Sequence, residues 1–133
     1  MRREDWLERL WATVETAQRT PFAWGANDCT TFAAACIDAM TGSDWRARLA
    51  AAYTDEASAR AYIVAEGGIE AGVTRRLGEP VASLQARRGD VCLVETPEGP
   101  GLAICVGPVA VVPGATGLVR KPLRDVIKAW RVD

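Results

Sequence analysis

Apolar residues recur at helical spacing through the first part of the chain. Trp6, Leu10 and Val14 stand four apart, with Leu7 and Trp11 beside them. A helix over about residues 5–18 would turn that stripe to a core. Asp5 is placed to cap it, with Glu8 at the capping-box position, and Thr20-Pro21 ends it. A second helix is predicted from Asp28 or Cys29 to about Met40. Asp28 is its N-cap, because a carboxylate there can accept from backbone N–H groups of the first turn, and Thr41-Gly42 is its stop. Its small, apolar composition (Phe32, Ala33, Ala34, Ala35, Cys36) predicts burial on most sides. Shorter helices are expected near 44–52, 55–66 and 69–77, with breaks at Gly67-Gly68 and Gly78.

From about residue 86 the texture changes to short β-rich runs. Residues 91–96 and 101–107 flank Pro97-Glu98-Gly99-Pro100, which reads as a hairpin turn. Centring the hairpin there sets Cys92 opposite Cys105, Val94 opposite Ala103 and Thr96 opposite Gly101. By alternation, Cys92, Val94, Gly101, Ala103 and Cys105 share one face; Val91, Leu93, Leu102, Ile104 and Val106 share the other. The small-residue face is the expected seat of the second helix. Later strands are predicted near 109–112, 117–121 and 128–132. Helices followed by strands make the class α+β, one domain over residues 1–133.

Charge and composition narrow the functions. The 133 residues carry a net charge of −1 with 25% charged and 49% hydrophobic residues, a globular balance that offers nucleic acid no bulk attraction. The basic cluster Arg120, Lys121, Arg124, Lys128 and Arg131 reads as a solvated surface. The first residues lack the apolar core of a signal peptide, and no apolar run could span a bilayer, so synthesis in the cytoplasm is expected. Cys29, Cys36, Cys92 and Cys105 lack zinc-knuckle spacing, and histidine is absent, so neither metal nor cofactor is expected. Cys29 and Cys36 would lie ~10 Å apart along one helix, too far for a disulfide.

The chemistry-bearing segment is Pro21-Phe22-Ala23-Trp24-Gly25-Ala26-Asn27-Asp28-Cys29, an aromatic-and-glycine turn leading into a helix that opens on a thiol. A helix N-terminus favours thiolate, so a lowered thiol pKa is expected for Cys29. The segment resembles the nucleophile region of the NlpC/P60 cysteine peptidases, in which Trp-Gly and a short spacer precede Asp-Cys. A second block, Arg88-Gly89-Asp90-Val91 followed by Gly101-Leu102-Ala103-Ile104-Cys105, resembles that family's Gly-Asp turn and its histidine-bearing strand. The likeness runs over about residues 20–113. It implies a papain-like α+β core with N-terminal helices packed on a C-terminal antiparallel sheet.

The same alignment puts Gly101 at the family's histidine position, and Val112 or Pro113 at that of its third polar residue. No Cys–His pair can form within the chain. Asp28 is a candidate substitute base, and Trp24, Gly25 and Asp90 are candidate site-lining residues. The whole chain also resembles short phage and prophage proteins encoded near tail-tip genes. These share its "Phe-Ala-Trp-Gly…Asp-Cys" and "Arg-Arg-Gly-Asp-Val" blocks and a closing Ala129-Trp130-Arg131-Val132 block. That resemblance implies a virion-tail component, structural or adaptor, with a relic nucleophile and with tail-tip or hub proteins as partners. The alternative is an active cysteine peptidase or amidase cutting peptidoglycan stem peptides as DNA enters. A third is a thiol-transfer or acyl-carrier role for Cys29.

Overall fold

The computed structural model describes residues 1–133. Five helices come first: α1 (Trp6–Gln18), α2 (Cys29–Thr41), α3 (Trp45–Ala52), α4 (Glu56–Ala65) and α5 (Ile69–Leu77). Five strands follow: β1 (Val91–Thr96), β2 (Gly99–Cys105), β3 (Val109–Gly114), β4 (Gly117–Pro122) and β5 (Lys128–Trp130). They form one antiparallel sheet in the order β4-β3-β2-β1-β5. The protein is therefore α+β, with its helices and strands segregated along the chain.

The helix ends follow from local chemistry, with two exceptions. The Asp28 side chain accepts from the Thr30 and Thr31 N–H groups, and the Thr31 hydroxyl accepts from the Asp28 N–H, so α2 carries a reciprocal cap. Gly42 closes it, donating to the Asp38 carbonyl. The cap expected at Asp5 does not form. Its carboxylate is taken by Arg9, 2.8 Å away on the next turn, an exposed pairing that competes with capping. The start of α3 is capped from a distance: Asp38 on α2 accepts from the Trp45 and Arg46 N–H groups, each at 2.9 Å, which locks α3 against α2.

The hairpin register differs from the expected one by two residues. Cys92 pairs with Ala103, Val94 with Gly101 and Thr96 with Gly99. The loop is only Pro97-Glu98. Gly99, at φ 105°, belongs to β2, and the Thr96 hydroxyl bridges the turn by donating to the Gly99 carbonyl and accepting from the Glu98 N–H. A shift of two preserves which residues share a face, so the predicted faces stand.

The seat of α2 is the other face. Phe32, Ala33, Cys36 and Met40 pack with Leu10 and Val14 of α1 on Val91, Leu93, Leu102, Ile104 and the fully buried Trp130. The larger side chains of that face bury more apolar area against two helices than Cys92 and Ala103 could offer. The small-residue face instead builds a thin second core, Cys92, Val94, Ala103, Cys105, Ala110 and Ala129, roofed by Val81, Ala86, Leu123 and Val126. Only Cys29, in the first turn of α2, reaches that cluster.

Candidate functional site

The turn before α2 is held by its own polar side chains. Asn27 donates to the Thr20 and Pro21 carbonyls, and its N–H donates to the Ala23 carbonyl at 2.7 Å. Gly25 adopts φ 80°, and a Cβ there would lie 3.0 Å from the Thr54 backbone, so glycine is required on both counts. The Gly25 N–H donates to Asp28 Oδ2 at 2.9 Å, and the Tyr53 hydroxyl donates to both carboxylate oxygens. With the two cap bonds, Asp28 holds three N–H donors and a phenol while only 1% exposed. Its acceptor positions are occupied, and it is not presented to the sulfur as a base. The sequence gives neither Asn27 nor Tyr53 a role of its own at the site. Asn27 has the amide a turn needs, but no spacing signal joins Tyr53 to Asp28 across 25 residues.

Cys29 is half-buried at the floor of an open cleft of about 380 Å³. Trp24, Asp28, Val112 and Pro113 line the same cleft, so four expected site positions converge there with the thiol. Gly101 lies directly against it: a Cβ built on Gly101 would stand 3.4 Å from Cys29 Sγ and 2.9 Å from Thr96 Cγ2. The nearest hydrogen-bonding side chain to the sulfur is its neighbour Thr30, Oγ1 at 3.7 Å. Phe22 stands edge-on to Trp24 at 4.9 Å between centroids, forming an aromatic wall, and Lys121, Glu98 and Arg60 add charge at the rim.

The expected lowering of the thiol pKa does not occur. Desolvation pushes the Cys29 thiol up, and the Asp28 carboxylate beside it adds to the rise; a backbone bond near Leu102 and the Thr30 hydroxyl offset this only in part. Burial and a like charge outweigh the helix terminus.

Asp90 is not at the cleft. It is 1% exposed and binds the two ends of the chain: Arg2 at 3.2 Å, the Val132 N–H at 3.2 Å and Arg131 at 3.6 Å, together with the Arg87 N–H at 2.9 Å. Gly89 lets this turn sit against Met40 and Arg2, where a Cβ would meet Met40 Sδ at 2.8 Å. The Arg-Gly-Asp turn therefore ties the termini to β1 and does not line a substrate path.

The family model for the domain of unknown function DUF6950 matches residues 1–132. The chain belongs to that family. No curated protein matches it. The family's description assigns no function, so any reading of a DUF6950 cleft rests on the geometry above. A second, mostly apolar cavity of about 90 Å³, lined from α2 to α5 and by Val91 and Leu102 of the sheet, shares Thr30, Ile63 and Ile69 with the cleft. It is lined by Ala33, Ile37, Leu49 and Ile69, with the ion-paired Glu66 and Arg76 also in its wall. No helix is long and apolar enough to cross a membrane.

Proposed function

We propose that the protein is a component of a phage or prophage-derived tail tip or baseplate, built on a degenerate NlpC/P60-like, papain-like core. It acts as a structural or adaptor protein, with hub and tail-tip proteins as partners. One observation carries the non-catalytic part of this reading: Cys29 Sγ lies against Gly101, and the one side chain hydrogen-bonded to it is the Thr30 hydroxyl, which is not a general base. A thiol whose pKa is raised holds little thiolate at neutral pH. Loss of a general base removes a contribution of about 10²–10⁴-fold. The helix opening on Cys29 beside an antiparallel sheet supports the scaffold assignment. The tail-tip assignment rests on the whole-chain resemblance.

Two measurements test the two halves. Protein and Cys29→Ala are each incubated with muropeptides, and equal background release is expected. Release above the Cys29→Ala level restores the hydrolase reading, for which the open cleft already provides room. Separately, particles are purified from a host carrying the gene. The protein is expected to copurify with hub proteins, and particles that lack it remove the tail-tip assignment.

A further inference from the structure

The two edges of the sheet are treated differently. The β5 edge is closed: the Val81 N–H donates to the Ala129 carbonyl at 2.7 Å, and Ala129 returns the bond at 3.1 Å. The β4 edge has β3 on one side only, and no loop bonds to any residue of β4. Alternate backbone N–H and C=O groups of an edge strand point away from its single neighbour. The Gly117 end abuts the Gln18 carbonyl of α1, and Pro122 ends the strand, so the open stretch is Leu118–Lys121.

That stretch has a hollow on each face. On one side Val119 and Lys121 line the Cys29 cleft; on the other, Leu118 and Arg120 line a hollow of about 390 Å³ with Gln18 and Val111, and Val119 borders both. An added strand would send successive side chains into the two hollows in turn. Arg120, Lys121 and Arg124 take part in no ion pair, whereas Lys128 and Arg131, also of the C-terminal basic cluster, are paired with Glu70 and Asp90. Two copies meeting edge to edge would oppose these cations, which disfavours self-pairing. We infer that β4 is a docking edge for an extended, acidic segment of a partner protein, which adds to the sheet as a sixth strand. This deepens the adaptor reading and rests on it for the partner's role, although docking itself requires no virion.

The test uses the full chain and a fluorescein-labelled short peptide alternating Glu and Val, read by anisotropy, with amide shifts locating the contact. Binding is expected, with shifts centred on Leu118–Lys121. The Arg120→Glu, Lys121→Glu double variant should bind at least about tenfold more weakly, both positions being at the rim. A Lys-Val peptide should bind at least about tenfold more weakly too, by the same charge argument. The Glu-Val peptide methylated on every backbone nitrogen keeps its charge but has no N–H on either edge with which to pair as a strand. Its affinity for the unmodified protein should also fall at least about tenfold, a comparison that does not depend on a variant folding. Equal affinity for the methylated peptide reduces the edge to charge attraction and overturns the proposal. So does no binding at about 1 mM peptide, or shifts centred elsewhere. Those results leave the copurification outcome untouched, so the two readings fail separately.

Discussion

Asp28 and Asp90 are both 1% exposed, and both follow a turn that contains a positive-φ glycine. They solve the cost of a buried carboxylate in opposite ways. Asp28 is surrounded by neutral donors from nearby in the chain, plus the phenol of Tyr53. Asp90 takes guanidinium groups and an amide from residues 2, 131 and 132. The first arrangement shapes a cleft and is local; the second closes the fold and cannot form until both ends have arrived. A buried acid in a family-like motif is thus no guide to catalysis until its donors are counted.

Removing Asp90 should separate the two most sharply. Asp90→Ala leaves Arg2 and Arg131 without their shared anion, and a loss of about 3–5 kcal/mol is expected in denaturant unfolding. Because the groups act as one unit, Arg2→Ala added to Asp90→Ala should cost much less than Arg2→Ala alone. Asp28→Ala should cost somewhat less, about 2–4 kcal/mol, from the lost cap and the unpaired Tyr53 hydroxyl. Tyr53→Phe in the same chain should recover part of that loss. If Asp28→Ala proves the costlier variant, the contrast between local and closing networks is wrong.

A smaller effect is expected at the contact between cleft and sheet. Gly101→Ala places a methyl 2.9 Å from Thr96 Cγ2 and 3.4 Å from Cys29 Sγ. It should cost about 1–2 kcal/mol as overpacking, and Thr96→Ser, which deletes the clashing methyl, should return most of it. The mildest probe is alkali. The Cys29 thiol and the Tyr53 phenol are both held protonated, chiefly by desolvation and further by the Asp28 charge. Groups whose folded pKa is raised stabilise fully below their unfolded values, and that stability is lost as pH rises past about 8.5 for a thiol and about 10 for a phenol. Hydrogen exchange in the first turn of α2 should therefore accelerate with alkali, beyond its intrinsic pH dependence, before it does around Asp90. Simultaneous loss at both sites would contradict this.

Much of the fold is readable along the chain because its signals are local. The Asp28 cap, the Gly42 stop and the apolar stripe of α1 each act within a turn or two, and the helix and strand limits follow them closely. What escapes is set at longer range. Gly99 reads as part of a four-residue turn, yet the Thr96 hydroxyl closes a tighter one and moves the register by two. Which sheet face receives α2 depends on the area that two helices bury together, a quantity no single segment carries. Asp5 has an acid's capping preference, but Arg9 is closer. At the cleft, the convergence of Cys29, Trp24, Gly101, Val112 and Pro113 follows from motif order. The sign of the thiol shift does not, because burial and the charge of Asp28 oppose the helix terminus and outweigh it. Asp90 reads as a site-lining residue, yet its partners lie at positions 2 and 131, where sequence distance hides them.

The clasp at Asp90 also has a practical consequence. Arg2 Nε donates to the Val132 carbonyl at 2.6 Å, so residues 2 and 132 lie within one side chain's reach of each other. A short linker could join them, and new ends could be opened in an exposed turn such as that at Glu79, on the way from α5 to the sheet. Such a circular permutant would convert the clasp from a long-range closure into a local turn. It should fold faster than the original order of elements at little cost to its final stability.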